Sequence, residues 1–301
     1  MFASLIPPLA LAATVDRVPE DFPTIQRAID QGDAPTIHVA AGAWAGAVLS
    51  RPVHLVADGA IIVEGVRLGP TRAGFVLPGR ASGSTIEGFV FDCTSRRLDL
   101  GVYGSEARMH SVADRIEVVD NRFAGCVQAI TNAGGPVEAC RSEAVDGGSW
   151  WTIRNNTIDG LASRTDRGGA GGGVGVLLYN VLGADVFGNR FTGSVQDDAR
   201  FATSGVALAG CIDCTVSDNQ FEVSGGRFWY SAVSNAGALL DGAVASRNLL
   251  LSGNDAYGDS APWLGVAFVS RGSSATALQD NLGVAYVDHE RCGDGDLYTI
   301  E

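Results

Sequence analysis

Six segments of this chain repeat one signature: an apolar residue, two spacers, an asparagine, a further spacer and usually another apolar residue. They are Val118–Phe123, Ile153–Ile158, Val186–Phe191, Val216–Phe221, Ala245–Leu250 and Leu278–Gly283. Their asparagines, Asn121, Asn156, Asn189, Asn219, Asn248 and Asn281, follow one another at 35, 33, 30, 29 and 33 residues. A strand–asparagine–strand unit at that period is the mark of a repeat architecture, each unit forming one coil of a solenoid. Asparagine tolerates the left-handed backbone that a tight corner asks for. Stacked copies can also bond amide to amide along the stack.

The chain has 301 residues, 46% of them hydrophobic, enough for a sizeable core. The repeat favours one elongated domain over two. Forty glycines suit a chain that bends several times per coil. A net charge of −13 argues against nucleic acid as a partner, because binding a duplex rests on neutralising phosphates. Every basic residue is Arg and none is Lys. That excludes a Schiff base, a Walker lysine and a lysine general base.

Residues 1–13 are apolar and hold the small-residue run Ala10-Leu11-Ala12. They read as the core and cleavage site of a secretory signal without its basic start, an ordinary apolar N-terminus being the other reading. No other apolar run is long enough to span a membrane. Six cysteines fit an oxidising compartment, so the expected location is extracytoplasmic, secreted or periplasmic. Cys93 and Cys126 occupy similar places on adjacent units. Cys211-Ile212-Asp213-Cys214 is a CxxC with no second CxxC and no nearby His, which favours a structural or local disulfide over a metal site.

Residues 21–30 read as a short amphipathic helix with Pro23 and Thr24 at its start and Ile25, Ala28 and Ile29 on one face. It can cover the open end of a solenoid. Beyond it, the strand before each asparagine is assigned to a second sheet and the strand after it to a third. A longer loop then leads to a first-sheet strand. First-sheet candidates are Cys126–Asn132, Gly175–Asn180, Gly205–Gly210, Ser231–Ala236 and Gly265–Ser270. Val176, Leu178, Val206 and Leu208 should point inward, and Leu177, Tyr179 and Ala207 outward.

The helix "DFPTIQRAID", the following "IHVAAGAW" and the asparagine-marked coils together resemble the pectin lyase-like superfamily over residues 20–290. The resemblance implies an all-β, single-stranded right-handed parallel β-helix with a short N-terminal capping helix. On that basis residues 14–301 form a single domain of about nine coils stacked about 4.8 Å apart. It also implies a groove along the first sheet, walled by the loops before it. The enzyme signatures of the branches are missing: no aromatic-rich pectinesterase block, no "GHG" or "RIK" of polygalacturonases and no "DPHD" of mannuronan epimerases.

The loops from 159 to 230 nonetheless gather suitable groups. Asp197, Asp198 and Arg200 share one loop, and Arg227 leads towards Trp229 and Tyr230; Asp166 and Arg167 precede Tyr179. Paired carboxylates carry out glycoside hydrolysis, and Arg binds or neutralises a uronate carboxylate. Trp and Tyr offer flat faces to a sugar ring. Candidate catalytic residues are therefore Asp197, Asp198, Arg200 and Arg227. Candidate substrate-binding residues are Asp166, Arg167, Tyr179, Trp229 and Tyr230. The bland alternative is a set of solvated loop charges with aromatics covering the coil edge.

The expected partner is a polysaccharide or glycan. Two functions stay open, a polysaccharide lyase or glycoside hydrolase and a non-catalytic glycan-binding or surface solenoid. The run Gly168–Gly175 lacks a following GK[ST] and leads into a strand, so it is a loop rather than a nucleotide cradle. No metal site is expected. Among cofactors only calcium is left open, at Asp294-Gly295-Asp296, whose alternating oxygens lack the remaining ligands. His110 on a loop, and His38 and His54 near early strands, read as solvated and structural.

Overall fold

The computed structural model describes residues 14–104, 113–132, 148–163, 173–179, 181–196, 203–209, 211–225 and seven short strands between 228 and 289. It is built from parallel strands that return to the same three sheets coil after coil. The second sheet orders ten strands from Val15–Val18 to Ala277–Gln279. The third orders eight, from Gly42–Ala45 to Asp255–Tyr257, and the first runs from Ala47–Val48 to Phe228–Trp229. Neighbours pair in parallel, apart from Val66–Leu68, which turns back antiparallel on Thr71–Val76.

The helix Ile25–Gln31 forms where its pattern predicts. Thr24 caps it by accepting a hydrogen bond from the Arg27 amide at 3.2 Å, and Ile25, Ala28 and Ile29 are its buried face. It packs on Val15–Val18, Thr36–Val39 and Ala47–Val48, closing the N-terminal end of the core.

Each coil turns its corners with left-handed residues. Between the second and third sheets these are Asp120, Asn155, Gly188 and Asp218, each immediately before the repeat asparagine. The left-handed conformation thus belongs to the preceding residue, not to the asparagine. The asparagines are buried and form a ladder: the amide N–H of Asn121, Asn156 and Asn189 donates to Oδ1 of Asn156, Asn189 and Asn219, each at 3.0 Å. Each of these Nδ2 groups also donates to that same Oδ1 and to a second-sheet carbonyl, such as Val118 O or Ile153 O. The ladder ends at Phe89, whose amide donates to Asn121 Oδ1 at 2.9 Å. Buried polar corners are in this way satisfied by protein groups.

Two expectations shift. Val216 pairs with Leu251 rather than with Ala245, so the strand of the fifth unit lies six residues further along than its signature suggests; Asn248 and Asn254 both lie outside the described residues. The first sheet continues through Phe228–Trp229, whereas Val233–Ser234 joins Ala267–Ser270 and Tyr286–His289 in a separate three-stranded sheet.

Inside, a ring row and a small-residue row interlock. Phe91, Phe123, Ile158, Phe191 and Phe221 are in register across the third sheet. Phe91 stacks on Phe123 and Phe191 on Phe221, each with ring centroids 4.6 Å apart. Facing them from the first sheet, Gly74, Gly101, Ala129, Gly175 and Gly205 share one register position. A Cβ at Gly74 would lie 2.8 Å from the Phe91 ring, and one at Gly175 2.5 Å from Phe191. Gly74, Gly101 and Gly175 each meet the ring of the next coil. Ala129, the one exception, precedes the coil that carries Ile158 instead of Phe.

Candidate functional site

The corner between the third and first sheets carries links of unequal length on successive coils. Third-sheet strands reach it at Val90–Asp92, Arg122–Cys126, Thr157–Leu161, Arg190–Val195 and Gln220–Gly225. On the first of these coils, Asp92 Oδ1 accepts from the Thr94 amide at 3.1 Å and from Thr94 Oγ1 at 2.6 Å, starting the 3-10 turn Cys93–Ser95. Arg96 ends that turn in the left-handed region at φ 59°. A disulfide joins Cys93 to Cys126 on the next coil, both buried, and holds the two corners together.

Below this clamp the corner opens into a cleft of about 270 Å³, lined by Thr94, Arg96, Gly125, Leu161, Ala162, Ser194 and Gln196. Four successive coils contribute. The backbone is fixed by Ala162 N donating to Cys126 O at 3.0 Å and Gln196 N to Leu161 O at 2.8 Å. Thr203 Oγ1 adds a bond to Gln196 O at 2.8 Å. The polar side chains of the lining are hydroxyls, one amide and one guanidinium. The nearby carboxylates are occupied: Asp92 by Thr94, and Asp159 by Arg122 and Thr192. On the same outer face Arg190 pairs with Glu222 at 2.9 Å.

Segments 164–172, 197–202 and 226–227 each bridge the third sheet to the first, on consecutive coils, because Val174–Tyr179, Thr203–Ala209 and Phe228–Trp229 are adjacent first-sheet strands. Those segments carry Asp166 and Arg167, then Asp197, Asp198 and Arg200, then Arg227. All six, with Tyr230, lie outside the described residues. Tyr179 ends its strand opposite Ala209, and Trp229 pairs with Ser204; their side chains are outside the description. So are residues 1–13, His110 and Asp294–Asp296.

The outward row of the first sheet is less open than expected. Val176, Leu178, Val206 and Leu208 do face the core, but Leu177 and Ala207 on the other face are also buried, as are Val76 and Thr131 in the same row. With Ala73, Val76 and Leu100, partly buried Val48, Val66, Leu68 and Tyr103 form an apolar cluster apart from the main core. The open concavity lies one corner back. Thr94, Arg96, Ser194 and Gln196, which line it, escape the sequence reading because no motif marks them.

The CxxC forms a local disulfide between buried Cys211 and Cys214. Among the described residues no group of three His, Cys, Asp or Glu is placed to hold a metal, and no helix is long and apolar enough to cross a membrane. Neither a protein-family model nor a curated protein matches the chain.

Proposed function

We propose that this chain is an extracytoplasmic carbohydrate-active solenoid of the pectin lyase-like type, a right-handed β-helix of about nine coils over residues 14–301. In this reading it is a polysaccharide lyase or glycoside hydrolase. Asp197 or Asp198 acts as acid or base, and Arg200 and Arg227 orient an acidic or neutral glycan. Asp166, Arg167, Tyr179, Trp229 and Tyr230 complete its binding surface. The observation that carries the reading is topological. The links from third-sheet to first-sheet strands on three consecutive coils carry Asp166, Arg167, Asp197, Asp198, Arg200 and Arg227 in sequence. Described residues that precede two of these links line a polar cleft. Neighbouring carboxylates would help through pKa separation, one held protonated by the other's charge. The described disulfides support the compartment.

A glycan panel followed both for new reducing ends and for unsaturated uronates separates the two chemistries. Hydrolysis gives only the first, elimination gives both, and Asp198→Asn should abolish whichever is found. No turnover on any glycan would defeat the enzyme reading.

A second reading, a non-catalytic glycan-binding or surface solenoid, draws on the carboxylates beside the cleft. Asp92 and Asp159 are spent on structural bonds. Binding without turnover, unchanged in Asp198→Asn, would select it.

A further inference from the structure

Asn155-Asn156-Thr157 is an Asn-x-Thr triplet, the acceptor pattern for an N-linked oligosaccharide. Among the asparagines of the chain, Asn155 alone is followed two places on by Ser or Thr. The two adjacent asparagines have opposite surroundings. Asn156 is buried, and its Nδ2 is committed to Asn189 Oδ1, Val118 O and Arg154 O. Asn155 is exposed at the corner between the second and third sheets. Among the described residues its side-chain amide has no hydrogen-bond partner.

Space at the corner is a second, independent observation. The residues in the same place on neighbouring coils are Asp120, Gly188 and Asp218. The coil that stacks on Asn155 carries the glycine, and a Cβ at Gly188 would lie 2.8 Å from Asn155 Oδ1. The side chain of Asn155 therefore leans over a position that has none. The left-handed corner, φ 58° at Asn155, accounts for Asn, Asp or Gly alike. It does not ask for a hydroxyl at Thr157, which lies between Arg122 and Arg190 in the outer row of the third sheet.

We infer that Asn155 is the attachment site of an N-linked oligosaccharide on the exported chain. The donor is an oligosaccharide carried on a polyprenyl diphosphate and presented by a membrane transferase, which reads the hydroxyl of Thr157. Asn155 Nδ2 forms a bond to the anomeric carbon of the first sugar. The bond from that carbon to the diphosphate oxygen breaks, the lipid diphosphate leaves with the electron pair, and Nδ2 gives up one proton. Nothing is oxidised or reduced. The finished coil has room for the sugar, because Asn155 faces out while the ladder uses Asn156. The site depends on export, as proposed above, and not on any glycan substrate.

The test is intact-mass analysis, with and without thiol alkylation, of the full chain secreted behind the signal of a eukaryotic host. The secreted protein should carry one oligosaccharide, released by an amidase that leaves aspartate at position 155. Thr157→Val should lose that mass entirely, and Thr157→Ser should keep it. Asn155→Gly should also lose it while keeping or raising the melting temperature, because glycine relieves the left-handed backbone. Secreted, disulfide-bonded protein without the added mass overturns the site and leaves the export reading standing. So does an added mass that survives Thr157→Val. Folded, secreted protein with free thiols at Cys93, Cys126, Cys211 and Cys214 overturns the export reading, on which the site depends.

Discussion

Asn189 shows how much rests on one repeat residue. Its Oδ1 accepts from both the amide and the side chain of Asn156, and its Nδ2 donates to Ile153 O, Phe187 O and Asn219 Oδ1. Replacing it by leucine removes the acceptor of the buried Asn156 amide and the side-chain donor to Ile153 O, whereas Asn219 Oδ1 keeps the backbone N–H of position 189. The expected loss is about 3 kcal/mol, read from chemical denaturation, since each orphaned buried polar group costs about 1–3 kcal/mol. An unchanged midpoint would mean that the ladder is not a stabilising element. The residue before each asparagine follows a different rule. Asp218 lies at φ 55°, so Asp218→Gly should be neutral or stabilising, and Asp218→Val should cost about 1–2 kcal/mol. If valine were as stable as glycine, the corner would not need the left-handed conformation.

Elements pack by exchanging volume between sheets. Gly175→Ala would press on the Phe191 ring and on Gly205 O, so a loss of about 1–3 kcal/mol is expected, the usual cost of overpacking. Phe191→Leu in the same chain should return part of that loss, because Ala129 already coexists with the smaller Ile158 in the coil it faces. A double-mutant cycle with no coupling would reject this pairing. The apolar position after each asparagine and the helix Ile25–Gln31 were legible in the sequence, since both follow from apolar spacing, whereas the stacking of the rings was not. Register was not always legible. Ala245-x-x-Asn248-x-Leu250 and Leu251-x-x-Asn254-x-Ala256 fit one pattern equally well, and only pairing with Val216 separates them. The left-handed residues were hidden for a similar reason, Asn155 and Asn156 being adjacent and chemically identical. The cleft was hidden altogether. Its lining comes from residues some thirty positions apart, at strand ends and corners of four successive coils, and only stacking of the coils brings Arg96 and Gln196 to one cleft.

At the scale of the whole molecule a solenoid has few contacts between distant parts of the chain, so each coil relies on the next. A covalent link between coils therefore matters more than one within a turn. Cys93 and Cys126 are 33 residues apart and join successive coils; Cys211 and Cys214 are 3 apart within one corner. If cross-links act by restricting the unfolded chain, removing the first pair as a double alanine variant should cost about 3–4 kcal/mol and removing the second about 2 kcal/mol. Denaturation of the two variants beside the wild type measures this ordering. Equal losses would show that local packing of the buried sulfur atoms decides the matter instead of chain entropy. The first disulfide also flanks Thr94, Arg96 and Gly125 in the cleft wall. Under the proposed glycan reading its loss should weaken glycan binding as well as stability, whereas loss of Cys211–Cys214 should leave binding untouched. A Cys93/Cys126 variant that is destabilised yet binds like the wild type would place the ligand elsewhere on the solenoid.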